Sequence, residues 1–373
     1  MFPAFLLLAL AACSPAPQKL LFPAFFYWET TLDISDSERG LMDSLGCKKL
    51  YVKVLDIGRN TVTGEIEPYS LTVMSDTSGL ARLEVIPTVF ITNEVFHNIS
   101  EEKIGWLAKK IAESLPFTRH SPQGEGGLGH SPQGEGGLGH SPQGEGGLVK
   151  TTAFLFDCDW TPATREAFFL FLKKIRDKLP PGISLEATIR LHQYKFPKQT
   201  GVPPVDRGML MFYNTGDVEE ESERNTIFHP DEALKYVDGA PKNYPLPLDL
   251  ALPLFSWGLV FREGELWKIV PGPLPFGEMR RSKKYLEQIS PDPFSAHLWE
   301  VKEGTFLGGH YLRPGDHLRV SETSPELLFK AATLAQKLDL ADDASLAFFH
   351  LGIAQSAHFS AQLLDSVCKT VRK

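Results

Sequence analysis

Three observations predict an α/β fold, specifically a (β/α)8 TIM-like barrel. Eight apolar strand-like runs occur in the chain, amphipathic segments of helical period alternate with them, and roughly 350 residues remain for one body once the N-terminus is set aside. Parallel sheets read this way because each crossover covers a strand buried on both faces. The composition, 42% hydrophobic and 23% charged, is that of an ordinary globular protein. A net charge of −8 without any Lys/Arg-rich block argues against a nucleic-acid partner.

In chain order, uncharged Met1–Ala12 (MFPAFLLLALAA) is too short to span a bilayer and ends in small residues, as an export signal does. Leu10-Ala11-Ala12-Cys13 resembles a bacterial lipobox. The resemblance implies cleavage before Cys13, lipidation of its thiol, and a tether over residues 13–19 that places residues 20–373 at a membrane of the bacterial cell envelope, periplasmic or on the outer surface. The remaining thiols, Cys47, Cys158 and Cys368, are an odd number without close spacing, a poor disulfide framework and a poor zinc site.

The expected strands are Leu20–Tyr27, Leu50–Leu55, Glu84–Ile91, Thr152–Phe156, Leu185–Leu191, Gly208–Tyr213, Leu248–Phe255 and Leu346–Leu351. A helix over Ser100–Leu115 follows the third, with Ser at the N-cap and Glu101 and Glu102 in its first turn. Before the fourth strand, His120–Leu148 repeats HSPQGEGGLG in near-perfect triplicate. Its Gly, Pro, Ser and Gln cannot bury enough apolar surface to offset ordering, so it reads as a disordered loop. Helices over Thr161–Leu179 and Ser324–Leu338 open on Thr-Pro and Ser-Pro, and one over Ser356–Val371 closes the fold. Prolines in Gln193–Arg207 leave little room for a full helix there. Asp217–Glu223 (DVEEESE) reads as a solvated acidic loop, and Arg262–Glu322 as a small β-rich insertion between the seventh and eighth strands.

In such barrels chemistry sits at the C-terminal strand ends. These supply Tyr27, Trp28 and Glu29; Asp56; Thr92, Asn93 and Glu94; Asp157, Asp159 and Trp160; Arg190, His192 and Gln193; Tyr213 and Asn214; Ser256 and Trp257; and His350. Asp157 and Asp159 share one face of the fourth strand, and two acids at a buried strand end are costly to bury, which marks them as candidate functional residues. Aromatic rings with carboxylates and amides suit sugars, whose CH faces stack and whose hydroxyls need donors and acceptors.

The order of elements and the fourth-strand run Phe156-Asp-Cys-Asp-Trp160 resemble the chitinase-type glycoside hydrolases, whose fourth strand carries D-x-D-x-E, and MLMF followed by Tyr213-Asn214 is similar to their sixth. The chain also resembles a group of uncharacterised, lipid-anchored bacterial barrel proteins without assigned activity. The hydrolase resemblance implies a glycan ligand, with Asp157 and Asp159 as the supporting acids. Thr161 stands where those enzymes carry the proton-donating glutamate, and it also suits a helix N-cap before Pro162.

Three readings follow. In a glycan hydrolase, Asp159 would be the acid, raised by burial and by Asp157, with Glu29, Asp56 or Glu94 as partner; Tyr27, Trp28, Trp160, Arg190, His192, Tyr213, Asn214 and Trp257 would bind ligand. A hydrolase-like barrel that binds an envelope glycan without cutting it is the second. The third, a metal-dependent hydrolase on Asp157, Asp159 and His192, lacks an H-x-H or H-E-x-x-H pattern, and no metal or other cofactor is expected.

Overall fold

A computed structural model describes residues 21–74, 80, 82–115, 150–352 and 358–372. The signal and tether, Cys13 and the triplicate repeat lie outside the described residues. Eight parallel strands close on themselves: β1 (Phe22–Tyr27), β2 (Lys49–Arg59), β3 (Glu84–Ile91), β4 (Ala153–Asp157), β5 (Ser184–Arg190), β6 (Arg207–Met211), β7 (Leu248–Pro253) and β8 (Ser345–Leu351). Each strand pairs with its chain neighbours, and β8 returns to β1 with Ala24 opposite Ala347. The result is the TIM-like barrel expected from the sequence. β2 runs past the barrel into an antiparallel hairpin with Ile66–Leu71.

Helices α1 (Asp36–Leu45), α2 (Glu101–Ser114), α3 (Arg165–Arg176), α4 (Pro230–Val237), α5 (Pro325–Ala335) and α6 (Ala361–Val371) bury apolar stripes against the strands. Serine caps fix four of their starts. Ser35 forms a capping box with Glu38, and Ser100, Ser324 and Ser360 accept from the amides of Lys103, Leu327 and Leu363. α3 does not begin at Thr161. Pro162–Thr164 form a turn, Thr164 Oγ1 accepts from the Thr161 amide at 2.9 Å, and the helix starts at Arg165. The β5–β6 link holds only two short helical pieces, Leu191–Lys195 and Pro197–Thr200.

The barrel interior is polar at its base. Residues two apart on a strand share a face, so β5 turns Glu186, Thr188 and Arg190 inward from bottom to top. At the bottom, Asp249 accepts from Tyr51 (3.3 Å), Arg207 (2.8 Å) and the Ser345 amide (2.7 Å).

Between β7 and β8 a five-stranded antiparallel sheet runs in the spatial order Glu265–Pro271, Ser256–Arg262, His317–Glu322, His297–Val301, Tyr285–Gln288, over its own core of Val260, Val270, Trp299, Leu318 and Val320. The insertion expected from Arg262 thus takes in the whole strand from Ser256. The acidic loop after β6 is not free in water along its backbone. Arg319, whose side chain is almost fully enclosed, donates to the carbonyls of Asp217 and Val218 at 3.0 Å and to that of Glu220. Among the described residues no helix is long and apolar enough to cross a membrane.

Candidate functional site

The C-terminal mouth of the barrel divides into a charged side and an aromatic side. On the charged side, Asp157 ends β4 almost completely buried and accepts a 2.6 Å hydrogen bond from Thr188 on β5. Burial pushes its carboxyl up to about 6; the Arg190 charge opposes that rise, while Asp159 and Asp56 add to it. Arg190 closes β5 and grips both oxygens of Asp159, one of them at 3.0 Å. Its guanidinium is held charged: burial works against the charge, but Asp159 and Asp157 outweigh burial.

The burial expected at Asp159 therefore falls on Asp157. With about half its side chain exposed and a guanidinium on both oxygens, Asp159 is the rim member of an ion pair. From β2, the Lys53 ammonium lies 2.7 Å from Asp56 Oδ2, while Asp56 Oδ1 is buried without a hydrogen-bond partner. Tyr69, on the hairpin, lies across Gly58, where a Cβ would come within 3.1 Å of its ring. Its hydroxyl is pushed up to about 12 by burial and by the charges of Asp56 and Asp157.

On the aromatic side, Trp28 beyond β1 touches Phe90 of β3 (6.4 Å between ring centres) and Phe349 of β8 (5.1 Å). Phe349 continues to Tyr213 (5.4 Å) and Phe255 (5.6 Å), and Phe255 to Trp257 (5.4 Å). Lys53 joins the two sides, its ammonium 5.6 Å from the Trp28 ring centre.

Several sequence-predicted residues do not face this mouth. Trp160 is wholly buried: it stacks on Phe168 of α3 at 5.3 Å and donates to the Thr200 carbonyl, so it is core. Tyr27 spends its hydroxyl on the backbone of Thr31 and Asp33, fixing the turn after β1. Trp257 sits on the insertion sheet and donates to Thr226, at the far end of the aromatic chain. Glu29 is exposed toward Tyr27 and His350, outside the group of acids around Asp157. Asn214 is exposed at positive φ, its amide donating to the Ile227 carbonyl at 2.6 Å.

Tyr213 lies under the charged cluster, its hydroxyl kept protonated by burial. Exposed His192 stands beside the Asp159–Arg190 pair, its imidazole drawn below its ordinary range by partial burial. Lys53, Thr188, Tyr69, Phe90 and Phe349 were missed from the sequence. A lysine three residues before Asp56 in an otherwise apolar run was the available signal for Lys53. Among the described residues no group of three His, Cys, Asp or Glu side chains is placed to hold a metal ion.

The architecture defines a (β/α)8 barrel, a fold that solved chitinases share. Chitinase ChiA74 from Bacillus thuringiensis shares the fold at TM-score 0.51 and 12% identity, over 94% of this chain and 69% of that one. The C-terminal domain of a chitinase candidate from Desulfitobacterium hafniense matches at 0.50 and 9%, over 94% and 99% of the two chains. The spore cortex-lytic enzyme SleL of Bacillus cereus matches at 0.46 and 16%, over 94% and 74%. No protein-family model and no curated protein matches the chain.

Proposed function

We propose that this barrel binds a glycan at its C-terminal mouth without cutting it by the chitinase route, and that it does so as a bacterial cell-envelope lipoprotein tethered through Cys13. The observation that carries the reading is the Arg190 guanidinium on both oxygens of Asp159, at the same barrel mouth as an aromatic wall built on Trp28. A carboxylate paired in this way is an acceptor for sugar hydroxyls and a poor proton donor. Thr161, at the position of the family's glutamate, has no acid to offer, and its backbone is committed to the turn before α3. The wall around Trp28 and Phe349 offers stacking surface, and Asp56 Oδ1 is a buried acceptor without a donor. The location supports the reading: (β/α)8 barrels, the fold this chain shares with a chitinase, carry their chemistry at the C-terminal face.

A second reading rests on Asp157. A carboxyl raised to about 6 keeps its proton under mildly acidic conditions and could protonate a leaving group there. One experiment separates the two. The body from Pro15 onward is titrated with chitin oligomers and solubilised cell-wall glycans, following tryptophan fluorescence and reducing-end release. Binding without release, weakened about tenfold in Trp28→Ala, is the expected result. Release abolished by Asp157→Asn would establish the second reading, and absence of binding would overturn both.

A further inference from the structure

The acids and bases at the mouth do not balance. Asp56, Asp157 and Asp159 face two cations, Lys53 on Asp56 and Arg190 on Asp159. Asp157 has neither in direct contact: the Arg190 charge reaches it, but its own hydrogen bond comes from the neutral Thr188 hydroxyl. The other titratable groups around it, Tyr69 from the hairpin and Tyr213 from the segment after β6, are phenols held protonated, and His192 is drawn toward its neutral form. The three acids of the mouth thus lack one positive charge. Asp56 Oδ1, on a residue more than nine-tenths buried, adds an acceptor with no donor. The mouth already holds one primary ammonium between a carboxylate and an aromatic face, in Lys53 between Asp56 and Trp28. Its chemistry is thus that of amine recognition.

Building on the glycan reading, we propose that the ligand is an amino-sugar polymer whose amines are free, a de-N-acetylated hexosamine chain, in preference to its N-acetylated form. The sugar ring stacks on the Trp28–Phe349 wall, and its ammonium supplies the missing charge over the enclosed Asp157 and Asp56 carboxylates. An acetamide would bring bulk and no charge to the same place, leaving the Asp157 carboxylate uncompensated. Binding the ammonium and protonating Asp157 are alternatives, so once the sugar amines are themselves fully charged, affinity weakens as the pH falls below about 6.

Glucosamine and N-acetylglucosamine hexamers are compared by calorimetry at 150 mM salt, at pH 5 and pH 7, on the wild type, Asp157→Asn and Asp56→Asn. Support requires at least tenfold tighter binding of glucosamine at pH 7, a preference that shrinks at pH 5 and collapses in Asp157→Asn. Asp56→Asn reads the same preference if Asp157→Asn fails to fold. Equal or tighter binding of N-acetylglucosamine overturns this proposal and leaves the glycan reading standing. A glucosamine preference unchanged in both variants is attraction to the acidic surface at large and also overturns it. If neither hexamer binds, the glycan reading falls with it.

Discussion

Replacing Glu186 by Gln should stabilise this protein, increasingly so as the pH rises. Glu186 sits almost fully enclosed at the barrel base, with Oε2 lacking any hydrogen-bond partner. Burial pushes its carboxyl up to about 8, Asp249 adds to the shift, and Lys49 and Arg207 oppose it. In the unfolded chain the same group titrates near 4.5. Below 4.5 both states carry the proton and the group is neutral in its effect on stability. Between 4.5 and about 8 only the folded state carries it, so stability falls with rising pH at up to one proton's slope. At pH 7 the accumulated cost is about 3 kcal/mol, from roughly 2.5 pH units at 1.36 kcal/mol each. Glutamine keeps the shape of the protonated acid and removes the titration. Guanidinium midpoints, followed by tryptophan fluorescence for both proteins from pH 5 to pH 8, should nearly coincide at the acid end and diverge steadily toward the alkaline end. A gap that stays constant with pH, or a variant less stable throughout, would mean Glu186 is ionised in the fold and would refute the reasoning.

Arg190→Met should move the titration of Asp157 above about 6, because Arg190 opposes the rise caused by burial; carboxyl-carbon NMR reads the shift directly. Arg319→Met removes the donor to three loop carbonyls and should cost about 3 kcal/mol, with amide exchange rising across Asp217–Glu223 while the barrel strands stay protected. Ser324→Ala deletes the N-cap bond to the Leu327 amide and should lower stability by about 1 kcal/mol by denaturant titration, with ligand binding unchanged.

The strands of the barrel were legible because each is an apolar run bounded by turn residues, and the expected and observed limits of Glu84–Ile91 coincide. Serine caps were legible for the same local reason. Thr161 misled because Thr-Pro is a good helix opening in isolation, whereas contact with Asn93 across the mouth draws Thr164 into a turn ahead of the helix. The roles of Asp157 and Asp159 could not be divided from spacing alone. Both point to one face, and only the approach of β5 decides that Thr188 covers the first and Arg190 takes the second. Tyr69 was invisible because it reaches the mouth on an antiparallel extension of β2, outside the alternation that marks a barrel.

The polarity of β1 has a consequence for orientation. Phe22 enters the barrel at its base, and the Glu84–Lys150 bridge puts the return from residues 116–149 at the base too. Leu21, the first described residue, therefore stands at the base, while the mouth opens about 20 Å away along the axis, a six-residue strand's length. Were the chain held to a surface through the N-terminal tether proposed above, that surface would meet the base and the mouth would open on the opposite side.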